Sequence, residues 1–186
     1  VGSEMCIRDR IIIAGDGKVG GILTRKLSAE GYDITLIDTD AKVINASLER
    51  YDVMAVQGNC TLMSVLSEAD VERTDLLIAT TSADEINLLC CMTAHNMNPN
   101  LHTIARIRNP EYSEQIYHMR DAFGLSLTVN PEKQAAVEIE RLLKYPVFLQ
   151  RDTFAKGRVE LVELRVSDGS VLRDVSLNEL LSLIHI

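Results

Sequence analysis

The sequence predicts an α/β fold in which a doubly wound parallel sheet of six strands is covered by helices on both faces. Six short aliphatic or β-branched runs alternate with longer stretches of helical period. A glycine-rich loop joins the first run to the first helical stretch, and polar residues typical of helix starts precede several of the later helical stretches. Repeated strand–helix–strand units of this kind form a parallel sheet through right-handed crossovers.

The predicted strands are short apolar runs that glycine or polar residues separate from the helical stretches. Because a helical stretch lies between each strand and the next, we expect all six strands to be parallel. They are Arg10–Gly15, Asp33–Ile37, Val53–Gln57, Leu76–Ala79, His102–Arg106 and Ser126–Val129.

Three helix starts are marked by residues with a known capping role. Ser82–Glu85 has the pattern of a capping box, in which the serine and the glutamate satisfy each other's backbone N–H groups. Asn109 and Asn130 each precede a proline. This pairing predicts a capping side chain followed by proline at the first helical position.

The composition changes at Pro146, which predicts a domain boundary. Residues 10–145 then form the α/β domain, and residues 146–180 begin a small α+β module that is truncated. Residues 1–9 have no strand or helix period and, like residues 181–186, they resemble translated sequencing-adapter read-through. We therefore expect both segments to lie outside the fold. The second module contains predicted strands at Val147–Gln150 and Arg158–Val166, followed by a turn at Ser167–Ser170.

Composition restricts the class of protein. The 186 residues are 46% hydrophobic and 25% charged, as in an ordinary globular protein, and the formal charge of −8 argues against general nucleic-acid binding. No apolar run approaches the ~20 residues of a membrane span, so direct insertion is not expected. The four cysteines form no C-x-x-C pair, which argues against a zinc site. Cys90 and Cys91 fit a helical apolar pattern and are interpreted as buried small residues.

The segment Gly15–Gly20 reads Gly-Asp-Gly-Lys-Val-Gly and carries the strongest functional signal. It follows a predicted strand and opens a helix, the context in which this motif marks a Rossmann-type dinucleotide site. Gly15 permits the tight turn, Gly17 allows a pyrophosphate to approach the backbone, and Gly20 allows the helix to pack closely on the sheet. The helix amino end supplies N–H donors for the phosphates.

Asp38 ends the second strand, eighteen positions after Gly20, where a carboxylate accepts hydrogen bonds from an adenosine ribose. Its charge repels a 2′-phosphate, which favours NAD or ATP and ADP over NADP. The alternative is that the glycines only make a turn and that Asp38 caps a helix starting near Asp40.

Other candidate contacts lie close to this loop in the predicted fold. Lys18 faces solvent, where it either meets a phosphate or is an exposed lysine early in a helix. Asn59 and Cys60 follow the third strand at the carboxyl edge, where an adenine can lie across the backbone. The alternative there is a helix cap by Asn59 or Thr61.

The sequence lacks the groups that a dehydrogenase requires for proton transfer. His95 lies in the middle of a helical stretch, His102 opens a strand and His118 lies among charged residues, so each is interpreted as structural. No nucleophile elbow, P-loop or metal-binding histidine pair is present. We therefore expect the protein not to be an enzyme and the nucleotide to be sensed without being consumed.

In order and spacing, residues 10–145 resemble the RCK (KTN) domain of Trk potassium-uptake regulatory proteins. The likeness continues weakly through Ala155–Leu161 into the small C-terminal module of that family. Regulators of this family generally carry two tandem domains, of which one is visible here. The matching segments are Ile11–Gly20, Asp33–Asp38, Gln57–Asn59, Thr80–Asn87 and Ile104–Tyr112.

The resemblance implies a cytoplasmic regulatory subunit on the inner face of the plasma membrane. Such subunits assemble as dimers within a ring beneath a Trk/Ktr-type membrane potassium transporter, and binding of NAD(H) or ATP/ADP changes the ring and gates ion flow. The residues that it places at the nucleotide are Gly15, Asp16, Gly17, Lys18, Val19, Gly20, Asp38, Asn59, Cys60 and Thr80.

The resemblance also assigns roles to charged residues near the fifth and sixth strands. Arg106 and Arg108 match a basic strand end, where one of them reaches a phosphate or both form interface ion pairs. Glu132 matches a position that helps to hold a cation at a dimer interface in some relatives, although acidity in the first turn of a helix explains it equally well.

A second hypothesis from another class remains open. The chain is then a fragment of a Rossmann-fold NAD-dependent oxidoreductase whose substrate domain lies beyond residue 186. A third hypothesis, a short-chain Rossmann enzyme, is disfavoured because none of the five tyrosines begins a Tyr-x-x-x-Lys pair. The full reading frame distinguishes the first two: a second glycine-loop repeat supports the regulator, and a long substrate domain supports the enzyme.

Overall fold

The computed structural model describes residues 9–144, 148–154 and 159–164, together with 166, 168–170, 173, 175 and 176. The chain divides into two compact units, Val1–Lys133 and Gln134–Ile186. None of the helices in the described residues is long and apolar enough to cross a bilayer. Residues 1–8 and 181–186 lie outside the described part, and the domain division expected at Pro146 stays a prediction.

The first unit contains a six-stranded sheet in which every strand pairs in parallel with its neighbours. The strand order is β3-β2-β1-β4-β5-β6. This confirms the predicted doubly wound, Rossmann-type sheet. The strands are β1 (Arg10–Ala14), β2 (Asp33–Asp38), β3 (Met54–Gln57), β4 (Leu76–Ala79), β5 (His102–Arg106) and β6 (Leu127–Val129).

Strand β1 lies at the centre of the sheet and is apolar on both faces. Ile11 and Ile13 belong to one core cluster, whereas Ile12 and Ala14 belong to the other. This division follows from the alternation of side chains along a strand. A continuous apolar run, rather than an alternating one, is what a strand covered by helices on both faces requires.

The described residues contain six α-helices, and two of the predicted caps are confirmed. The Asn109 side chain accepts a hydrogen bond from the Glu111 amide, and the Asn130 side chain accepts one from the Lys133 amide at 2.9 Å. The helices are α1 (Lys18–Ala29), α2 (Ala41–Leu48), α3 (Met63–Glu68), α4 (Asp84–Met97), α5 (Pro110–Met119) and α6 (Pro131–Lys144).

The predicted capping box at Ser82–Glu85 is wrong. Helix α4 has Ala83 at its cap position, and no side chain caps it. The Glu85 carboxylate instead accepts a hydrogen bond from the Tyr112 hydroxyl at 2.8 Å. Tertiary contacts of Glu85 thus replace the local reciprocal pair that the sequence pattern predicts.

The second unit contains an antiparallel pair of strands, β7 (Phe148–Phe154) and β8 (Val159–Leu164). These strands overlap the two runs predicted after residue 146. Asp168 and Gly169 lie in a turn, as expected. Pro146, Val147, Arg158 and Ser167, which also belong to these predictions, lie outside the described residues.

The order of strands creates a crevice at one edge of the sheet. The chain winds outward from β1 to β3, then returns to the other side of β1 and winds outward again from β4 to β6. The loops that follow β1 and β4 therefore diverge at the carboxyl edge. In open parallel sheets, ligands bind at this reversal of strand order.

Candidate functional site

A cleft of about 350 Å³ lies at the carboxyl edge of the sheet, where the strand order reverses. Its walls come from the loops that follow β1, β2, β3 and β4. The sequence brings these loops together because the strands are parallel and end at the same edge. The lining residues are Gly15, Gly17, Ile37, Asp38, Thr39, Gly58, Asn59, Cys60, Thr80, Thr81, Ser82 and Ile86.

The glycine turn forms one wall of the cleft. Gly15 has a φ of +91°, and a Cβ there would approach the Thr81 backbone nitrogen to 2.8 Å. A Cβ on Gly20 would lie 2.0 Å from the Gly15 carbonyl oxygen. Both positions thus require glycine for internal packing, as the motif predicts.

Gly17 is different because it faces open space. No atom of the protein lies within 4 Å of a Cβ built at Gly17, and the residue is exposed. Glycine at this position therefore serves no packing purpose inside the protein. It leaves the backbone accessible to a ligand in the cleft.

The amino end of α1 is prepared for an anion. Gly17 is the N-cap residue, no side chain caps the helix, and the first turn carries no acidic residue. The first backbone N–H groups of a helix have no partner within it and carry partial positive charge. A phosphate group supplies the acceptor that this helix end lacks.

Asp38 lies on the cleft wall at the end of β2 and organises the turn beside it. Its Oδ2 accepts a hydrogen bond from the Asp16 amide at 2.8 Å, and its Oδ1 accepts one from the Asp40 amide at 2.9 Å. Asp40, rather than Asp38, caps α2 through its own side chain. Each carboxylate oxygen of Asp38 retains a second lone pair for a ligand hydroxyl.

The Asp16 side chain does not line the cleft, and its role at the nucleotide stays a prediction. It is buried and accepts hydrogen bonds from the Thr24 hydroxyl at 3.1 Å and from the Ser47 hydroxyl. These partners lie on α1 and α2. The Asp16 carboxylate thus ties the glycine turn to both helices.

The opposite wall consists of the segment that follows β4. The Thr80 hydroxyl donates to the Gly15 carbonyl at 2.7 Å, so this wall is bonded directly to the glycine turn. Thr81, Ser82 and Ile86 continue the wall. These three residues were not among the predicted site residues.

Asn59 and Cys60 lie in the cleft as predicted. The Asn59 side chain accepts hydrogen bonds from the amide and hydroxyl of Thr61 at 3.0 and 2.9 Å, and this local turn precedes α3 without capping it.

A hydrogen bond with the Cys90 thiol lowers the pKa of Cys60, whereas the same contact and burial raise the pKa of Cys90. Burial raises the pKa of Cys91 to about 12.

Five predicted residues lie outside the cleft lining: Asp16, Lys18, Val19, Gly20 and Arg106. Lys18 is exposed on the first turn of α1, and Gly20 lies beneath the turn. Arg106 instead pairs with Glu132 at the start of α6. The pKa of Glu132 is lowered by its own backbone N–H and by the Arg106 guanidinium.

Arg108 contacts a residue of the cleft wall, although it does not itself line the cleft. Its guanidinium donates to the carbonyl of Ser82, a residue of the cleft wall, and its Nε lies 3.6 Å from the Asp84 carboxylate. Within the described residues, no group of three or more His, Cys, Asp and Glu side chains is arranged to hold a metal ion. The cation role of Glu132 stays a prediction.

Three of the lining residues that the sequence did not predict lie just after the end of a strand. Thr39 follows Asp38 at the end of β2, and Thr81 and Ser82 follow Thr80 after β4. Their proximity to the predicted residues was the available signal. Ile86 carries no such signal because its apolar side chain fits a helix core equally well.

The family model of the TrkA-N domain matches residues 11–131. The chain belongs to the TrkA-N domain family. The Trk system potassium uptake protein TrkA of Vibrio alginolyticus is 35% identical over 165 residues, which are 88% of this chain and 36% of the relative. The chain therefore spans about 36% of the length of that protein.

Solved structures show the same fold. The TrkA-N domain of the inner membrane protein YbaL from Escherichia coli superposes with a TM-score of 0.65 at 25% identity, covering 74% of this chain and 98% of that chain. The GsuK channel bound to NAD superposes with a TM-score of 0.63 at 24% identity, covering 75% of this chain and 24% of the channel. The likeness to GsuK concerns the fold.

Proposed function

We propose that this TrkA-N domain binds an adenine nucleotide, NAD(H) or ATP/ADP, in the carboxyl-edge cleft and thereby regulates a Trk-type potassium uptake system. The observation that carries the proposal is the uncapped amino end of α1, which opens beside Asp38 in the same cleft. This arrangement joins phosphate-binding donors to a ribose acceptor.

We assign different parts of the nucleotide to different residues of the cleft. The backbone at Gly17 and the first turn of α1 bind the phosphates, and Gly15 and Gly20 maintain the turn. Asp38 accepts from the ribose hydroxyls, and Asn59 lies across the cleft for the base. Of the remaining predicted residues, Cys60 and Thr80 line the walls, and Asp16 ties the turn to two helices. Val19 and Lys18 lie in the first turn of α1, where exposed Lys18 is available to a phosphate. Arg106 reaches a phosphate only if its ion pair with Glu132 opens.

The cleft is suited to sensing a nucleotide. Its lining contains no histidine, lysine, arginine or tyrosine among the described residues, so the walls offer few groups for proton transfer. A bound nucleotide regulates only through a difference in its affinity for two arrangements of the assembly. A coupling of ~1–3 kcal/mol changes affinity by about 5- to 150-fold.

The names of the TrkA relatives support a place in potassium uptake, and the assembly is proposed from the family resemblance. We place this domain in a regulatory subunit on the inner face of the plasma membrane, in dimers within a ring beneath a Trk/Ktr-type potassium transporter. Exposed Lys18 reaches the terminal phosphate of a nucleotide, in its own subunit or a neighbouring one. ATP-dependent transport that is unchanged in Lys18→Ala would remove this residue from the mechanism.

Thermal unfolding with and without nucleotides tests the binding proposal. A ligand at 100 times its Kd adds about 2.7 kcal/mol to the free energy of unfolding. We expect NADH or ATP to raise Tm and NADPH to have little effect, because Asp38 repels a 2′-phosphate. A Tm that none of the three ligands raises would overturn the proposal, and so would turnover of a reduced metabolite with NAD.

A further inference from the structure

Asn87 is a buried side chain behind the wall of the cleft, and the nucleotide motif does not explain it. It lies in the first turn of α4, has no exposed surface, and is among the largest fully buried side chains of the core. A buried amide costs free energy unless its donor and acceptor groups are bonded. The bonds of Asn87 therefore indicate what this position stabilises.

Both ends of the Asn87 amide are used. Its Oδ1 accepts hydrogen bonds from the backbone N–H of Thr81 at 2.8 Å and from the Thr81 hydroxyl at 2.7 Å. Its Nδ2 donates to the carbonyl of Arg106, at the end of β5, at 2.9 Å. Asn87 thus fixes the wall after β4 to the carboxyl end of the next strand.

Thr81 passes this constraint to the glycine turn. The Thr81 backbone lies so close to Gly15 that an added Cβ would approach its nitrogen to 2.8 Å. The neighbouring Thr80 hydroxyl is bonded to the Gly15 carbonyl. The position of Gly15 relative to the opposite wall therefore depends on the segment that Asn87 holds.

We propose that Asn87 is a positioning residue for nucleotide binding, because its amide holds Thr81 and thereby sets the separation between the glycine turn and the opposite wall. This inference rests on the proposed nucleotide-binding function. Asn87 is not among the residues that line the cleft. Its effect on affinity is therefore exerted through Thr81.

Asn98 provides a matched control at the other end of the same helix. Its Nδ2 donates to the carbonyls of Val71 and Thr74 at 3.0 Å each, and its Oδ1 accepts from the Asn100 amide at 3.1 Å. Each asparagine thus makes three hydrogen bonds of ordinary length that anchor α4 to its surroundings. Only Asn87 is connected to the cleft.

The test is calorimetric titration of the 186-residue chain with NADH and ATP, at a temperature where each variant is fully folded. Both Asn87→Ala and Asn98→Ala should lower Tm, because each loses three hydrogen bonds. We expect Asn87→Ala to raise the nucleotide Kd about tenfold or more and Asn98→Ala to change it less than about twofold. Equal Kd values for the two variants would overturn the inference.

A milder substitution covers the case in which Asn87→Ala does not fold. Asn87→Asp keeps the acceptor for Thr81, but its ionised form loses the donor to the Arg106 carbonyl. Protonation restores a donor, so its nucleotide affinity relative to wild type should recover as the pH falls. A ratio of affinities near one at all pH values would contradict the inference. Failure of the wild-type chain to bind either nucleotide would instead contradict the proposed function.

Discussion

Two cavities of similar volume lie at opposite edges of the same sheet, and only one has the chemistry of a nucleotide site. The carboxyl-edge cleft measures about 350 Å³, and the amino-edge cavity measures about 400 Å³. The amino-edge cavity is lined by the starts of β1, β2 and β3 together with Asp33, Asp52 and Asp70. Of these two cavities, the one at the amino edge is the larger.

Backbone direction explains the difference between the edges. Parallel strands lead into helix amino ends at the carboxyl edge, so N–H donors and positive partial charge gather there. At the amino edge, Asp33, Asp52 and Asp70 surround a single arginine, Arg10. Carboxylates repel phosphate groups. Donor geometry and charge thus identify the ligand site where cavity volume does not.

Glycine substitutions in the turn after β1 should give the largest changes in stability. They also distinguish a glycine that is required for packing from one that is required for ligand binding. Gly20→Ala places a Cβ 2.0 Å from a backbone oxygen, so we expect a loss of about 3 kcal/mol or more in the free energy of unfolding. Gly17→Ala meets no protein atom within 4 Å and should leave stability nearly unchanged. Urea denaturation measures both effects.

Nucleotide titration completes this comparison. The added methyl group of Gly17→Ala occupies the space in which a pyrophosphate approaches the backbone, so its Kd for NADH should rise about tenfold or more. A Gly17→Ala protein with wild-type affinity would show that the ligand does not approach this turn.

Substitution of two aspartates on the same strand tests which edge of the sheet binds the nucleotide. Asp38 ends β2 at the carboxyl edge, whereas Asp33 begins β2 at the amino edge. A hydrogen bond to a charged group contributes about 1.5–3 kcal/mol, so Asp38→Asn should weaken NADH binding by about 10- to 100-fold. It should also reduce the preference for NADH over NADPH. Asp33→Asn should leave the affinities for NADH and NADPH within about twofold of wild type. If Asp33→Asn weakened NADH binding more than Asp38→Asn does, the ligand would bind at the amino edge.

Cysteine alkylation should give the smallest effect and reports on occupancy of the cleft. The thiolate is the reactive form, so alkylation of Cys60, whose pKa is lowered by its contact with Cys90, should begin at a lower pH than for an ordinary thiol. Cys91, with a pKa of about 12, should stay unmodified near pH 8. Saturating NADH should slow the Cys60 reaction about tenfold, as mass spectrometry of the digest would show. Unchanged Cys60 alkylation would argue that the ligand leaves this wall open.

The sequence predicted those parts of the molecule that local patterns determine. All six strands of the sheet were identified because apolar runs between helical stretches leave few other structures. Gly15, Gly17 and Asp38 were placed in the cleft because the motif combines a turn, a helix start and a strand end at fixed spacing. Asn109 and Asn130 were predicted correctly because a cap acts over a few residues.

The errors and omissions concern contacts between residues distant in sequence. No local rule states that Asp16 turns toward Ser47, 31 residues away, or that Asn87 bonds to Arg106, 19 residues away. Arg106 was predicted either to reach a phosphate or to form an ion pair; its guanidinium pairs with Glu132, and its role at the nucleotide stays a prediction. Such pairings depend on which strand ends become neighbours, and this is known only once the strands are assembled.

The most direct test of the account is an NMR titration of the isotopically labelled chain with NADH, in which every backbone amide reports on its own surroundings. If the nucleotide binds in the carboxyl-edge cleft, the largest shifts occur at the amides of Gly15, Gly17, Asn59 and Thr81, and the amide signals of Asp33, Asp52 and Asp70 do not move. Shifts concentrated on those three aspartates, or no shifts at saturating NADH and ATP, would contradict it.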